Sequence, residues 1–185
     1  IARCYVNKTI APNRENDMKI SKITIDNFRS IKHAEITADK FNVFVGQNNH
    51  GKTNFFEAID WFYGAKGDID KIRFLRDGNT EVCVEIEFSE INDGIQKMRN
   101  EKNKTTIQNL VGENDSVRIK RSSLDQKSRK IFDTRDSSWT EKNPFGADGT
   151  LNDFLPKFEY VSTQINPMEM AKYGKNTPIA NMLSG

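Results

Sequence analysis

The segment Gly-Gln-Asn-Asn-His-Gly-Lys-Thr at residues 46–53 constrains this chain more than any other feature. It matches the phosphate-binding pattern G-x-x-x-x-G-K-[ST]. Gly46 and Gly51 permit backbone geometry that a Cβ would hinder, so that successive N–H groups can point at phosphate oxygens. Lys52 is expected to reach the β- and γ-phosphates, and the Thr53 hydroxyl is expected to bind Mg²⁺. The pattern therefore predicts a phosphate-binding loop for ATP.

The segments on either side of this loop have the pattern that it requires. Residues 41–45 are nearly all apolar, which predicts a short strand buried on both faces. Residues 52–63 predict a helix with one buried stripe at the spacing i, i+3, i+4 and i+7, from which Glu57 and Asp60 are excluded. The stripe consists of Phe55, Ala58, Ile59 and Phe62. A strand, a glycine-bounded loop and an amphipathic helix in this order are the context in which the pattern binds phosphate.

Several further segments alternate between apolar and polar residues, as half-buried strands do. Residues 19–26 predict a strand, and residues 31–37 predict its partner after a turn. Residues 80–89 alternate strictly, which is typical of an antiparallel strand with one buried face. Residues 117–119 and 130–132 predict a hairpin. The predicted fold class is α/β, with an antiparallel β subdomain beside the phosphate loop and its helix.

The remaining segments have weaker patterns. Residues 92–115 fit either a short helix or a loose loop. Residues 134–150 are rich in Asp, Ser, Asn, Pro and Gly, which predicts a loop. We expect a helical turn at residues 151–155 and one more strand at residues 158–161.

Composition narrows the setting of the chain. A length of 185 residues fits one domain, and 36% apolar residues with a mean hydropathy of −0.71 fit a modest core. The net charge of +2 is too small to indicate nucleic acid by itself. No apolar run approaches the roughly 20 residues of a membrane helix, and Cys4 and Cys83 indicate neither a disulfide framework nor a zinc site. We expect a cytoplasmic protein without membrane contact, with a non-native or disordered leader at residues 1–17 and a domain from Met18 onward.

Two stretches of the chain resemble a known group of ATPases. Residues 19–30 and 43–59 are similar to the opening of SMC/RecF-type ABC ATPases, and within these to OLD-family ATP-dependent endonucleases and related phage-defence ATPases. The features in common are the Asn-Phe-Arg turn at residues 27–29, Asn48 and Asn49 inside the loop, and Asn54 followed by an Ala-Ile helix. His50 departs from the small residue that the group has at its position, which affects the fine geometry of the loop.

The resemblance implies roles for individual residues. Arg29 is expected near the nucleotide, and a glutamine after a later strand is expected to complete the Mg²⁺ shell. Gln164 is the candidate for that glutamine, and an ordinary polar loop residue is the alternative. The nucleotide would also be bound by Gly46, Asn48, Asn49, Gly51, Lys52, Thr53 and Asn54.

The resemblance also implies what the chain lacks. No later run of four apolar residues ends in Asp-Glu, so that no Walker B carboxylates are present to position the attacking water. Residues 18–185 are therefore expected to be the N-terminal half of an ABC-type head. Hydrolysis would require a C-terminal half and a second head in a homodimer, and this segment alone would be inactive. The work of such an ATPase would be DNA repair or phage-defence DNA cleavage.

Two other functions remain open at this point. A self-contained P-loop kinase or GTPase is disfavoured, because neither the guanine-specific motif Asn-Lys-x-Asp nor a later arginine cluster for phosphate is present. A non-catalytic, nucleotide-dependent scaffold is compatible with the missing Walker B.

Two charged groups need a separate interpretation. Six cations lie on the predicted hairpin, opposed within it only by Asp125, and either contact with a DNA backbone or an ordinary solvated surface would explain them. They are Arg118, Lys120, Arg121, Lys127, Arg129 and Lys130. Asp68 and Asp70 have the D-x-D shape of a metal-dependent nuclease, but they follow a glycine-rich turn, where acidic pairs are common.

Overall fold

Strands that alternate between apolar and polar residues pair into one antiparallel sheet. The computed structural model describes residues 18–39, 41–45, 51–65, 67–146 and 148–159. Within these residues the strands are β1 (Lys19–Phe28), β2 (Ile31–Thr37), β3 (Cys83–Ser89), β4 (Ser116–Ser122), β5 (Asp125–Asp133) and β6 (Ser138–Trp139). Their order in the sheet is β2-β1-β3-β4-β5-β6, and every neighbouring pair is antiparallel.

The helices connect these strands and cover one face of the sheet. They are α1 (Lys52–Gly64), α2 (Ile69–Ile72), α3 (Asn92–Lys97), α4 (Glu101–Val111) and α5 (Asp148–Phe154), with a 3₁₀ turn at Phe74–Arg76. Helix α1 contacts β1 and β3, whereas α4 and α5 contact β5. The opposite face of the sheet is not covered by any helix of the described residues.

The core lies between α1 and the central strands. The apolar side chains of β3 and its two neighbours point to this face and are fully buried; they include Ile25, Val84, Ile86, Phe88 and Ile119. Each such side chain contributes roughly 1.5–3 kcal/mol by its burial. The alternation at residues 80–89 therefore predicted the right strand, the right buried face and the antiparallel pairing.

Helix α1 also has the predicted stripe. Phe55, Ala58, Ile59 and Phe62 are all buried, and Asp60 is exposed. Phe56 and Trp61 are buried as well, so that the apolar side of the helix is wider than predicted. The helix ends at Ala65, whose left-handed backbone closes the last turn.

The prediction of a buried strand at residues 41–45 is wrong. Phe41, Val43 and Val45 are 73%, 62% and 90% exposed, and only Phe44 packs, against Phe55 and Phe56 of α1. A strand buried on both faces needs a neighbour in the sheet. No strand among the described residues pairs with this segment.

The prediction of a loop at residues 134–150 is wrong in two places. Strand β6 pairs with β5, and across this pair the Trp139 ring packs edge-on against Phe132 with centroids 5.3 Å apart. Helix α5 begins at Asp148 and includes the first part of the helical turn predicted at residues 151–155. The sequence allowed either a short helix or a loop between β3 and β4. The chain forms two helices there, α3 and α4, and the Asn100 side chain caps α4.

Two predicted segments are outside the described residues, wholly or in part. The leader at residues 1–17 is outside them. Of the strand predicted at residues 158–161 only Phe158 and Glu159 are described, and the Phe158 ring stacks on Tyr63 with centroids 5.4 Å apart.

Candidate nucleotide-binding site

Helix α1 begins where the phosphate-binding pattern ends. Gly51 is its N-cap and has a φ of +84°, which L side chains rarely adopt. A Cβ on Gly51 would also lie 3.3 Å from Ser30 Oγ. The amide of Phe55 donates the first helical hydrogen bond to Gly51 O at 3.0 Å. The backbone conformation therefore favours glycine at this position, and the close approach of the Ser30 side chain adds to that preference.

The start of α1 is electrically suited to an anion. In the described part of the chain no side chain caps this end, and the first turn contains no acidic residue. The first N–H groups of a helix have no intrahelical acceptor, and the helix dipole places partial positive charge at the same end. Lys52 and Thr53 occupy the first two positions, with Thr53 exposed. This arrangement can hold phosphate.

The turn between β1 and β2 packs against the beginning of α1. Asn54 Nδ2 donates to Ser30 Oγ at 2.7 Å. Arg29 forms an ion pair with Glu57 through Nη1 and Oε2. The resemblance placed Arg29 near the nucleotide, and the structure brings Arg29 to Glu57 and Ser30 to Asn54, on the first two turns of α1. The contact of Arg29 and Asn54 with a nucleotide stays a prediction.

Sequence reasoning missed Ser30 and Glu57 as members of this cluster. Glu57 was noted only as a residue outside the buried stripe. The available signal was its spacing of three from Asn54, which places both side chains on one side of the helix. The remaining predicted site residues, Gly46, Asn48, Asn49 and Gln164, lie outside the described residues, as does His50.

Two of the six hairpin cations are buried, contrary to both interpretations of the hairpin. Arg121 is 1% exposed and Arg129 is 0% exposed, and both pair with Asp148 at the start of α5. Asp148 Oδ2 accepts from Arg121 Nη2 at 2.6 Å, and Oδ1 accepts from Arg129 Nε at 2.9 Å. We call these three residues the charge cluster. Asp148 therefore compensates the hairpin cations in addition to Asp125. Alternation along the two strands places some of the cations on one face of the sheet and some on the other.

The charge cluster also joins the hairpin to the phosphate-loop helix. Arg121 Nε donates to Phe62 O in the last turn of α1 at 2.8 Å. The Arg129 guanidinium lies 5.4 Å from the centre of the Phe62 ring. A cation that donates to the last carbonyl groups of a helix stabilises its C-terminus.

The pKa values of the cluster follow from burial and charge together. Burial lowers the pKa of Arg121, against the opposing charge of Asp148. For Asp148 burial acts in the raising direction, but the hydrogen bond from Arg129 and the charges of both arginines outweigh it, so that the pKa of Asp148 is lowered. The carboxylate is the form that the site stabilises.

Three of the cations lie on the open face of the sheet. Arg118, Lys120 and Lys130, which we call the basic corner, occupy adjacent positions of β4 and β5. The Arg118 guanidinium lies 4.5 Å from the centre of the Phe132 ring, and Lys120 Nζ lies 4.4 Å from the centre of the Trp139 ring. Cation–π contacts of this kind order long side chains. One charge is partly compensated, because Arg118 Nε donates to Glu85 at 2.7 Å.

Asp68 and Asp70 have a structural role. The Asp68 carboxylate accepts from the Asp70 amide at 3.1 Å and so caps α2. Among the described residues no group of three or more potential metal-binding side chains was found. No helix in the described part of the chain has the length and apolar character that a membrane span needs.

Comparison with known proteins identifies the type of domain. The profile of the AAA ATPase domain family matches residues 18–177. The chain is 26% identical to the Old nuclease of Escherichia phage P2 over 163 residues, which are 86% of this chain and 28% of that protein. It is 26% identical to the DNA double-strand break repair Rad50 ATPase of Saccharolobus solfataricus over 157 residues, which are 83% of this chain and 18% of that protein.

A third relative matches a shorter stretch. The chain is 36% identical to the DNA replication and repair protein RecF of Desulforudis audaxviator over 93 residues, which are 46% of this chain and 24% of that protein. The matched region is therefore less than a third of the length of each of these relatives. Together they confirm the resemblance to SMC/RecF-type and OLD-family ATPases and the predicted fold class.

Proposed function

This chain belongs to the AAA ATPase domain family, and on that premise we propose that it is the ATP-binding part of an ATPase that acts on DNA, in repair or in phage-defence cleavage. The observation that carries the proposal is the start of α1. There a left-handed glycine, Lys52 and Thr53 follow one another in the order that phosphate binding requires, and no described side chain caps the end of the helix.

The residues present fit MgATP. The first turn of α1 has no carboxylate that would repel a triphosphate, and Gly51 begins the helix in the left-handed conformation. Lys52 would bind the β- and γ-phosphates, and the Thr53 hydroxyl would bind Mg²⁺. When bound, Mg²⁺ neutralises charge on the phosphate oxygens. Arg29 would add a second cation from the β1–β2 turn.

Hydrolysis is proposed to require more than this chain. The sequence contains no Walker B run, so that the carboxylates that position the attacking water would come from a C-terminal half. We propose that two such heads form a homodimer around the nucleotide. Gln164 is proposed to complete the Mg²⁺ shell.

DNA is the proposed partner for two reasons. The names of the relatives RecF and Rad50 place those proteins in DNA replication and repair. In addition, the basic corner presents three neighbouring cations on the open face of the sheet, and clustered cations bind a phosphate backbone without reading its sequence.

The test is an equilibrium titration with a fluorescent ATP analogue and Mg²⁺. Lys52→Ala should abolish measurable binding, because it removes the charge that faces the phosphates, whereas the far-ultraviolet circular dichroism should not change. Lys102→Ala, at an exposed position of α4, is the matched control and should bind like the wild type.

Competition with unlabelled nucleotides separates this proposal from a GTPase. ATP should displace the analogue at lower concentration than GTP. Unchanged affinity in Lys52→Ala would refute the assignment of the phosphate loop, and a clear preference for GTP would refute ATP as its ligand.

A further inference from the structure

Three successive residues, the last of β1 and the two of the β1–β2 turn, each contact a different side chain of α1. Positions 54, 57 and 61 lie on one side of the helix, at the spacing i, i+3 and i+7. The pairs are Ser30 with Asn54, Arg29 with Glu57, and Phe28 with Trp61. The turn therefore runs along the first turns of the helix toward its N-terminus, and Arg29 is fixed between an aromatic contact on one side and a hydrogen bond on the other.

Arg29 is held in an unfavourable backbone conformation. Its φ is +51°, in the left-handed region that non-glycine residues rarely adopt. Its amide donates to Ile72 O at 2.6 Å, which ties the turn to α2 as well. Strained residues of this kind persist where the surrounding contacts over-determine them, and they concentrate at functional sites. The contacts with α1 and α2 provide that support.

The position of Glu57 connects this pair to the phosphate site. Glu57 follows Thr53 by four residues, so that the two side chains lie on the same side of α1, about 6 Å apart along the axis. A lone carboxylate at that distance from bound phosphates would repel them. Paired with Arg29, its charge is compensated, and the guanidinium has five N–H donors, so that one bond through Nη1 leaves others for a second acceptor.

We propose that Glu57 is a positioning residue that orients the Arg29 guanidinium toward the phosphates of bound nucleotide. This inference rests on the proposed function, because it concerns the same site. Arg29 is 40% and Glu57 29% exposed at the side chain, so that the pair lies at the surface and a ligand can reach the guanidinium. Glu57 acts on the nucleotide only through Arg29.

A double-mutant cycle on nucleotide affinity tests this relation. Arg29→Ala should weaken binding of the fluorescent ATP analogue by about tenfold or more, as expected for the loss of a charge-assisted hydrogen bond. Glu57→Gln should weaken it by roughly three- to tenfold, and by no more than Arg29→Ala, because Glu57 acts only through Arg29. In the Arg29→Ala background Glu57→Gln should change the affinity by less than about twofold, because the residue through which it acts is gone.

A matched control separates this role from a general effect on the helix. Asp60→Asn removes an exposed carboxylate from the same helix and should leave affinity unchanged. Thermal unfolding should show similar melting temperatures for Asp60→Asn and Glu57→Gln, because a surface ion pair contributes little to stability.

Each contrary outcome has a definite meaning. Tighter binding by Glu57→Gln would overturn the inference and show that Glu57 competes with the nucleotide for Arg29. Unchanged binding, or an equal loss with and without Arg29, would overturn it by showing that Glu57 does not act through Arg29. In both cases the proposed function would still stand if the wild type binds the ATP analogue and Lys52→Ala does not. No binding by the wild type would overturn both.

Discussion

Removal of the charge of Asp148 should strongly destabilise the fold. Asp148→Asn keeps the size of the side chain but removes the carboxylate that pairs with both Arg121 and Arg129, which form no other ion pair among the described residues. One oxygen becomes an NH₂ group, which would face a guanidinium that also only donates. Two arginines that are 1% and 0% exposed would then keep their charges without compensation.

The magnitude follows from what the two arginines lose. Removing one partner of a buried ion pair costs about 3–5 kcal/mol of unfolding free energy, because the other charge stays buried and unpaired. For a chain of 185 residues this corresponds to a fall in melting temperature of roughly 6–20 °C. The loss is a large fraction of the roughly 5–15 kcal/mol by which a domain is stable.

Urea denaturation followed by circular dichroism measures this loss. Asp153→Asn is the matched control, since it makes the same change at an exposed position of the same helix, and it should cost less than about 0.5 kcal/mol. Adding Arg129→Met to Asp148→Asn should restore part of the stability, because it removes one of the uncompensated charges.

The same carboxylate makes stability depend on pH. Because the pKa of Asp148 is lowered in the folded protein, its contribution is complete above the unfolded pKa of about 3.9 and is lost as the pH falls through the lower folded pKa. Asp148→Asn should lack this part of the acid destabilisation. A loss no larger than that of Asp153→Asn, with the same acid profile as the wild type, would refute the role of the charge cluster.

Three further predictions concern turnover, DNA and the thiol of β3. The chain alone should release no phosphate from MgATP above background, because it has no Walker B carboxylates; turnover that disappears in Thr53→Ala would contradict this. Charge reversal of the basic corner should reduce the slope of log affinity for duplex DNA against log salt by roughly 2 to 3 units, whereas charge reversal at Lys102 should not change it. An unchanged slope would show that the basic corner is an ordinary solvated surface. Partial burial raises the pKa of Cys83 to about 12. In a Cys4→Ser background the folded chain should therefore react with an alkylating reagent at pH 8 more slowly than the urea-unfolded chain, and equally rapid labelling of both would contradict the raised pKa.

Local sequence patterns predicted secondary structure and its buried face correctly where a single residue period determined them. The stripe of α1 and the alternation of β3 were predicted correctly, because burial of an apolar face selects one face at a period of 3.6 or 2 residues. The start of α1 after Gly51 was predicted because the phosphate-binding pattern sets these residue types at a fixed spacing before a helix, and the contact of Gly51 and Lys52 with phosphate stays a prediction. The apolar segment at residues 41–45 was misread for the converse reason, since composition does not say whether a neighbouring strand is in place.

The sequence alone therefore determined the helix that follows the phosphate-binding pattern, the alternating strands and the family to which they belong. Tertiary structure alone decided what the polar residues do. Arg121 shares a strand face with Val117 and Ile119, yet its burial becomes possible only because Asp148, 27 residues further along the chain, supplies the opposite charge. A carboxylate so distant in sequence has no periodic relation to the strand. Its pairing is set by how α5 packs against β5, which is a property of the assembled core.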